Sequence, residues 1–168
     1  MKYVCSLITV KDIQKSRYLY ETILKQKVKS DYGENVAFYG DFAIHQAEHF
    51  KGLIDGKKIT EKSNSFELYF EDDDIESLEK IIAENHLETV HIMREQPWRQ
   101  KVLRFYDYDG NIIEVGETLE HVAYTLYLEN KTVAEISRIT YLGADAIEEA
   151  INKYSQLDRL LDYPVEGQ

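Results

Sequence analysis

The chain has one cysteine, two prolines and no long apolar segment among its 168 residues. Cys5 alone cannot form an internal disulfide, which fits a reducing compartment. No apolar run approaches the roughly 20 residues that a membrane-spanning helix needs, and Lys11 interrupts the apolar N-terminal stretch too early for a secretory signal. We therefore expect a cytoplasmic protein that makes no membrane contact.

Basic residues are also scarce. The chain has 20 Lys and Arg against 31 Asp and Glu, for a net charge of -11. Such a charge repels phosphate backbones, so we do not expect a nucleic-acid partner. The apolar share of 43% and the aromatic share of 12% are typical of folded globular proteins, and the length suits one domain with a small appendage.

The first part of the chain has the pattern of one strand, one helix and three strands. Residues 3–10 are β-branched and apolar, and apolar residues then recur at helical spacing from Ile13 to Leu24. Three short strand-like segments follow, separated by turn residues, at 27–31, 35–39 and 42–47. This is a βαβββ module.

A polar, lysine-rich connection at residues 51–64 precedes a second module of the same order. The residues 5–13 can be registered on 67–75 at a constant offset of 62, and both segments end in Asp-Ile before a helix. Its strands are predicted at 65–71, 88–93, 102–106 and 111–115, with a helix at 74–83. The repeat predicts an α+β fold with modules at about 1–50 and 64–117.

Residues 118–168 have the pattern of a helical tail. The spacings Thr132-x-x-Glu135 and Asp145-x-x-Glu148 are typical of capping boxes that begin helices. The tail superficially resembles a helix-turn-helix, but its 4 basic and 9 acidic residues give 4 − 9 = −5, which opposes DNA binding. We expect the tail to pack over the sheet, close a cavity or mediate dimerisation.

Two motifs resemble the vicinal oxygen chelate superfamily, the group of glyoxalase I, bleomycin-resistance proteins and extradiol dioxygenases. Residues 68–77 are similar to its second strand-to-helix junction. Pro-Trp-Arg-Gln at 97–100, followed by residues 104–115 with Asp-Tyr-Asp-Gly-Asn, is similar to its closing hairpin, although Tyr108 replaces the usual Pro and Arg99 the usual Gly. The resemblance covers residues 1–117 and implies paired βαβββ modules that form a curved mixed sheet around a cavity.

The resemblance also implies a metal site. Metal-using members place ligands at the positions of Cys5, His45, Glu67 and Glu114, usually with His at the first and third. Strand alternation independently puts all four on the face opposite the apolar one. His45, Glu67 and Glu114 would bind Zn, Ni, Mn or Fe as a divalent ion, with Glu114 also acting as the catalytic base.

Other interpretations of these residues stay open. Cys5 also fits as small core filler, His45 as a cavity residue without a metal, and Glu67 as a solvated or ion-paired strand residue. The cofactor is accordingly a divalent metal or none. The remaining histidines, which are His49, His86, His91 and His121, show no ligand spacing with one another and are expected at the surface.

Four residues are candidates for substrate binding: Cys5, Tyr69, Trp98 and Arg104. Trp98 either forms a pocket wall or covers the core or an interface. Arg104 either meets an anionic substrate or pairs with a surface carboxylate.

The leading hypothesis is a metal-dependent lyase or isomerase, or a related dioxygenase, that acts on a small chelating substrate. The alternative is a metal-free protein that binds a drug or metabolite, as the bleomycin-resistance branch does, and a third hypothesis makes the tail an interaction module. The resemblance further implies a homodimer.

Overall fold

The computed structural model describes residues 1–161, and these form an α+β fold as the sequence predicts. Eight strands are present: β1 Ser6–Val10, β2 Val28–Asp31, β3 Asn35–Phe38, β4 Phe42–Gln46, β5 Glu67–Glu71, β6 Thr89–Glu95, β7 Lys101–Tyr106 and β8 Ile112–Gly116. The helices are α1 Ile13–Arg17, which continues into a π-helical turn at Tyr18–Ile23, then α2 Ala47–Leu53, α3 Ile75–Glu84, α4 Leu119–Leu128, α5 Val133–Thr140 and α6 Ala144–Leu161.

The two modules repeat the same strand order. The first sheet has the order β1-β4-β3-β2 and the second has β5-β8-β7-β6. In the first sheet β1 runs parallel to β4, whereas β3 is antiparallel to both β2 and β4. The shared order confirms the βαβββ repeat inferred from the sequence.

The register of the first sheet separates an apolar face from a polar one. Ile8 and Val36 both lie opposite Ile44, and all three side chains are buried. Thr9 and Asn35 both lie opposite His45. Side chains alternate between the two faces of a sheet along each strand. The side chain of His45 therefore lies on the other face of the sheet from that of Ile44, as the alternation predicted.

The chain divides into two compact units. The first unit comprises Met1–Leu68, Lys80–Val90 and Arg104–Glu114. The second unit comprises Tyr69–Glu79, His91–Leu103 and the residues from Val115 onward. The second module therefore contributes to both units, and the proposed domain boundary at residue 117 stays a prediction.

Two local details differ from the sequence-based expectations. Residues 47–53 form helix α2, whereas the pattern predicts a strand to residue 47 and a connection after 50. The helix begins where the Gln46 side chain accepts a hydrogen bond from the His49 backbone N–H, a capping interaction by a residue type that rarely signals one. Strand β1 begins at Ser6, so Cys5 precedes it and does not lie on it.

The Asp-Tyr-Asp-Gly-Asn turn between β7 and β8 is tied to the first module. Asp107 is buried and accepts a hydrogen bond from the Tyr20 hydroxyl at 3.1 Å. The Asn111 side chain donates to the Thr9 carbonyl at 3.1 Å and to Asp107 at 2.8 Å. Gly110 has φ +83°, and a Cβ there would lie 2.9 Å from Lys62 Cγ, which explains the glycine. The motif thus has a structural role inside the first unit.

Helices α4, α5 and α6 share a hydrophobic core. Its buried members are Val122, Ala123, Leu126, Ile136, Ile147 and Ala150. Thr132 and Glu135 form the predicted capping box of α5. The second predicted box is wrong, because α6 begins at Ala144 and Asp145 already lies in its first turn. The part of the predicted tail at 162–168 lies outside the described residues.

One contact between the second module and the tail, within the second unit, is made by a carboxylate. Asp73 accepts hydrogen bonds from the Tyr154 hydroxyl at 2.5 Å and from the Thr118 hydroxyl at 2.8 Å. Thr118 also caps α4 by accepting a hydrogen bond from the His121 N–H. In residues 1–161 no helix combines the length and the apolarity that crossing a membrane requires.

Candidate functional site

Two of the predicted ligands, Glu67 and Glu114, are brought together by an arginine in the first unit. Nε of Arg104 donates to Glu67 Oε2 at 2.9 Å, and Nη2 contacts Glu114 Oε2 in a close ion pair. The sheet order explains the meeting, because β8 lies between β5 and β7 and carries Glu114 between the other two residues. We refer to Glu67, Arg104 and Glu114 as the carboxylate–arginine cluster.

The two carboxylates of this cluster have different surroundings. The side chain of Glu114 is 10% exposed, whereas that of Glu67 is 39% exposed. Burial, together with the hydrogen bond to Glu67, raises the pKa of Glu114 to about 7, although the positive charge of Arg104 acts in the opposite direction. The hydrogen bond from Arg104 lowers the pKa of Glu67.

These opposite shifts have a simple origin. Two carboxylates beside one guanidinium carry an excess negative charge when both are ionised, so the buried carboxyl retains its proton more strongly. Glu114 therefore exchanges a proton near neutral pH, which is the range that acid–base catalysis requires.

His45 lies in a separate group of polar side chains within the first unit. Its Nδ1 lies 3.0 Å from the Asn35 side-chain nitrogen, and its Nε2 lies 2.6 Å from Nδ1 of His49. The rings of His45 and His49 stack with centroids 4.9 Å apart, and Phe50 packs edge-on. Burial, and next the neighbouring His49, lower the pKa of His45, which favours a neutral imidazole.

As arranged, the expected ligand set does not fit a divalent ion. Each ring nitrogen of His45 faces another side chain, and both carboxylates face Arg104 instead of a common ion position. Throughout residues 1–161, no group of three or more His, Cys, Asp and Glu side chains is placed to hold a metal ion. The ligand roles of His45, Glu67 and Glu114 stay predictions.

The aromatic candidates lie in the second unit. Trp98 Nε1 donates to the Gln100 side-chain oxygen at 2.8 Å, and Gln100 Nε2 donates to the Tyr69 hydroxyl at 2.9 Å. Gln100 is buried, while Tyr69 is 48% and Trp98 36% exposed. This aromatic–glutamine chain holds two half-exposed rings in fixed positions. Cys5, the remaining candidate, is a partly buried free thiol before β1.

Three of these site residues were missed by sequence reasoning. Gln100 belongs to the Pro-Trp-Arg-Gln motif, but the motif does not indicate its contacts with Tyr69, 31 positions earlier, and with the Glu117 carbonyl, 17 positions later. Asn35 meets His45 only through strand pairing. His49 lies four residues after His45, but no helix was predicted there, and the contact depends on helix α2 beginning directly after β4.

The first unit also contains a cavity of about 310 Å³. It is lined by the end of β1, helix α2, residues 56–61 and the turn after β7. None of the carboxylate–arginine cluster lines it, so this volume and the titrating pair of carboxylates are separate features.

Comparison with known proteins identifies the family. The family model of the glyoxalase-like domain matches residues 3–120, and the chain belongs to that family. A protein of unknown function from Agrobacterium tumefaciens strain C58 is similar at 37% identity over 70% of this chain and 94% of its own, with a TM-score of 0.62.

Two solved structures with lower identity share the fold. Lactoylglutathione lyase from Agrobacterium tumefaciens is 14% identical over 70% of this chain and 93% of its own, with a TM-score of 0.53. The fosfomycin resistance protein FosX from Mesorhizobium loti is 19% identical over 67% and 88%, with a TM-score of 0.50. No curated protein matches the chain significantly. Membership of the vicinal oxygen chelate superfamily, implied by the two sequence motifs, is confirmed.

Proposed function

We propose that the protein is a glyoxalase-like enzyme that transfers a proton on a small oxygen-bearing substrate, as a lyase or isomerase does. The observation that supports this function is the carboxylate–arginine cluster, in which the buried Glu114 shares Arg104 with Glu67. A carboxylate that ionises near neutral pH can remove a proton from a carbon next to a carbonyl and return it to a neighbouring atom.

Each residue of the cluster has a distinct role in this proposal. Glu114 is the base and then the acid. Arg104 lies beside it and stabilises the negative oxygen that forms when the carbon loses its proton. Glu67 is a positioning residue, because its contacts at 2.9 and 3.5 Å orient the guanidinium of Arg104.

A second candidate function is metal-free binding of a small molecule. It is favoured by the aromatic–glutamine chain, since the half-exposed rings of Tyr69 and Trp98 present flat apolar surfaces next to a fixed amide. The two candidates parallel the names of two proteins with this fold, one a lyase and the other a resistance protein.

Deuterium exchange tests the enzymatic proposal even though the substrate is unidentified. A panel of small α-hydroxycarbonyl compounds and their thiol adducts is incubated with the protein in D₂O, and proton NMR follows exchange at the carbon next to the carbonyl. We expect exchange of at least one compound with the native protein and its loss with Glu114→Gln, whereas the exposed-site control Glu149→Gln exchanges normally.

The outcomes separate the two candidates. Exchange that survives Glu114→Gln, or a panel without any exchange, contradicts the enzymatic proposal. Thermal stabilisation by organic compounds without exchange, lost in Trp98→Ala, supports the binding function.

The metal and the homodimer are two further predictions, each with its own test. A divalent ion is retained as a cofactor hypothesis if the purified protein, after reconstitution, contains more than about 0.2 metal per chain by elemental analysis. A homodimer is tested by sedimentation equilibrium, where a mass near that of one 19.7 kDa chain would contradict it.

A further inference from the structure

The guanidinium of Arg104 contacts both carboxylates of the cluster, as a bound cation would. The contacts are Nε to Glu67 Oε2 at 2.9 Å, Nη2 to Glu67 Oε1 at 3.5 Å, and Nη2 to Glu114 Oε2. The side chain of Arg104 is 27% exposed and that of Glu114 10%, so much of the cluster is shielded from water. Charges in such surroundings interact more strongly than charges in bulk solvent.

The charge of the cluster opposes a second cation. The guanidinium cancels one of the two negative charges of the carboxylates and contacts oxygens of both, so less negative charge is left to attract a divalent ion. An ion placed against either carboxylate would also lie within a few ångströms of the guanidinium, which repels it. The same two carboxylates without Arg104 would attract a divalent cation strongly.

We propose that Arg104 is a built-in cation that fills the metal position of the Glu67–Glu114 pair and makes the site reject divalent ions. The identity of this one residue then determines whether the site is metal-free or metal-binding. The inference rests on the same cluster as the proposed function, but it concerns metal affinity and can fail while proton transfer stands.

Substitution of Arg104 tests the proposal directly. Arg104→Met removes the positive charge but keeps an aliphatic side chain. Arg104→Gln replaces the charged group by a neutral polar one, and Arg104→Lys keeps the positive charge. Cobalt binding is measured on the full chain by isothermal titration and by visible absorbance. We expect the Met and Gln variants to bind one Co²⁺ per chain at least about tenfold more tightly than the native protein, and the Lys variant to resemble the native protein.

Arg17 supplies a matched control, because it also contacts two carboxylates in the first unit. It pairs with Glu21, and its Nη1 lies 2.6 Å from Asp31 Oδ2. Arg17→Met therefore releases two acidic groups elsewhere, and these are more exposed than Glu114. We expect no comparable gain in Co²⁺ affinity there, and we expect the double variant Arg104→Met with Glu114→Gln to lose the gain.

Several results would overturn the proposal. The first is native protein that binds stoichiometric Co²⁺ as tightly as Arg104→Met. The second is that Arg104→Met and Arg104→Gln, shown by circular dichroism to be folded, bind Co²⁺ no more tightly than Arg17→Met does. The third is Co²⁺ binding that persists when Glu114→Gln is added, since the ion would then lie elsewhere. If one of the two neutral variants does not fold, the Co²⁺ affinity of the other is compared with that of Arg104→Lys.

Discussion

The raised pKa of Glu114 predicts that part of the protein's stability is lost as the pH rises. In the unfolded chain this carboxyl ionises near 4.5, whereas in the folded protein its pKa is about 7. Between these values the folded state binds more protons, so the free energy of unfolding falls as the pH increases. Glu114→Gln replaces the carboxyl by a neutral group of similar shape and should remove this pH dependence.

The magnitude follows from the same two values. The difference between the two pKa values, 4.5 and about 7, limits the pH-dependent change in the free energy of unfolding to roughly 3 kcal/mol. The actual change is smaller than this limit, because solvent reaches the cluster on the side of Glu67 and because the two carboxyls titrate together. As the pH rises from 5 to 8, we expect the free energy of unfolding of Glu114→Gln to increase by about 1–2 kcal/mol relative to that of the native protein.

Urea denaturation at pH 5, 6, 7 and 8 measures this difference, with Glu149→Gln as the control at an exposed position. The control should follow the native protein at every pH. Parallel curves for native protein and Glu114→Gln would refute the reasoning, and so would a native protein that gains stability relative to Glu114→Gln above pH 6.

Three further predictions concern stability and are measured by urea denaturation. Tyr154→Phe removes the hydroxyl that donates to Asp73 at 2.5 Å and should cost about 2 kcal/mol, because the acceptor is charged. Gly110→Ala should cost about 1–3 kcal/mol, since the new Cβ would lie 2.9 Å from Lys62 Cγ and 3.0 Å from its backbone nitrogen. Ile136→Ala leaves a cavity in the core of the tail and should cost about 2–5 kcal/mol.

Each of these changes has a matched control in the chain. Tyr141 is 86% exposed, and Tyr141→Phe should change stability little. Gly33 has φ +81°, but a Cβ at this position would meet no atom within 4 Å, so Gly33→Ala isolates the backbone strain from the contact with Lys62. Ile92 is 74% exposed and serves as the control for Ile136. Equal losses in a variant and its control would contradict the structural reason given for that variant.

The carboxylate–arginine cluster also changes how the family resemblance is used. Position by position, the resemblance pointed to Glu67 and Glu114 as ligands of one metal ion; that role stays a prediction, and in the structure both carboxylates contact Arg104. For Arg104, the first residue of the 104–115 motif, the sequence left two roles open, contact with an anionic substrate or an ion pair with a carboxylate, and in the structure it pairs with both carboxylates. The chemistry of a site inferred from a family resemblance therefore also depends on which neighbouring side chains contact the inferred residues.

The sequence by itself determined the architecture of this protein. Period-two alternation located the strands, and the repeated element order revealed the two modules. The capping box at Thr132 and Glu135 located a helix start, because all of these signals arise between residues close in the chain. Helix α2 was not predicted, since its cap is a glutamine, a residue that is not selective for helix starts.

Only the tertiary structure decided which polar groups became partners. Arg104 contacts a residue 37 positions earlier and another 10 positions later, and Gln100 reaches Tyr69 across 31 positions. His45 pairs with His49 of helix α2 instead of joining the carboxylates. Local patterns follow from the periodicity of the backbone, whereas partner choice depends on burial and competing charges, which exist only once the strands are side by side.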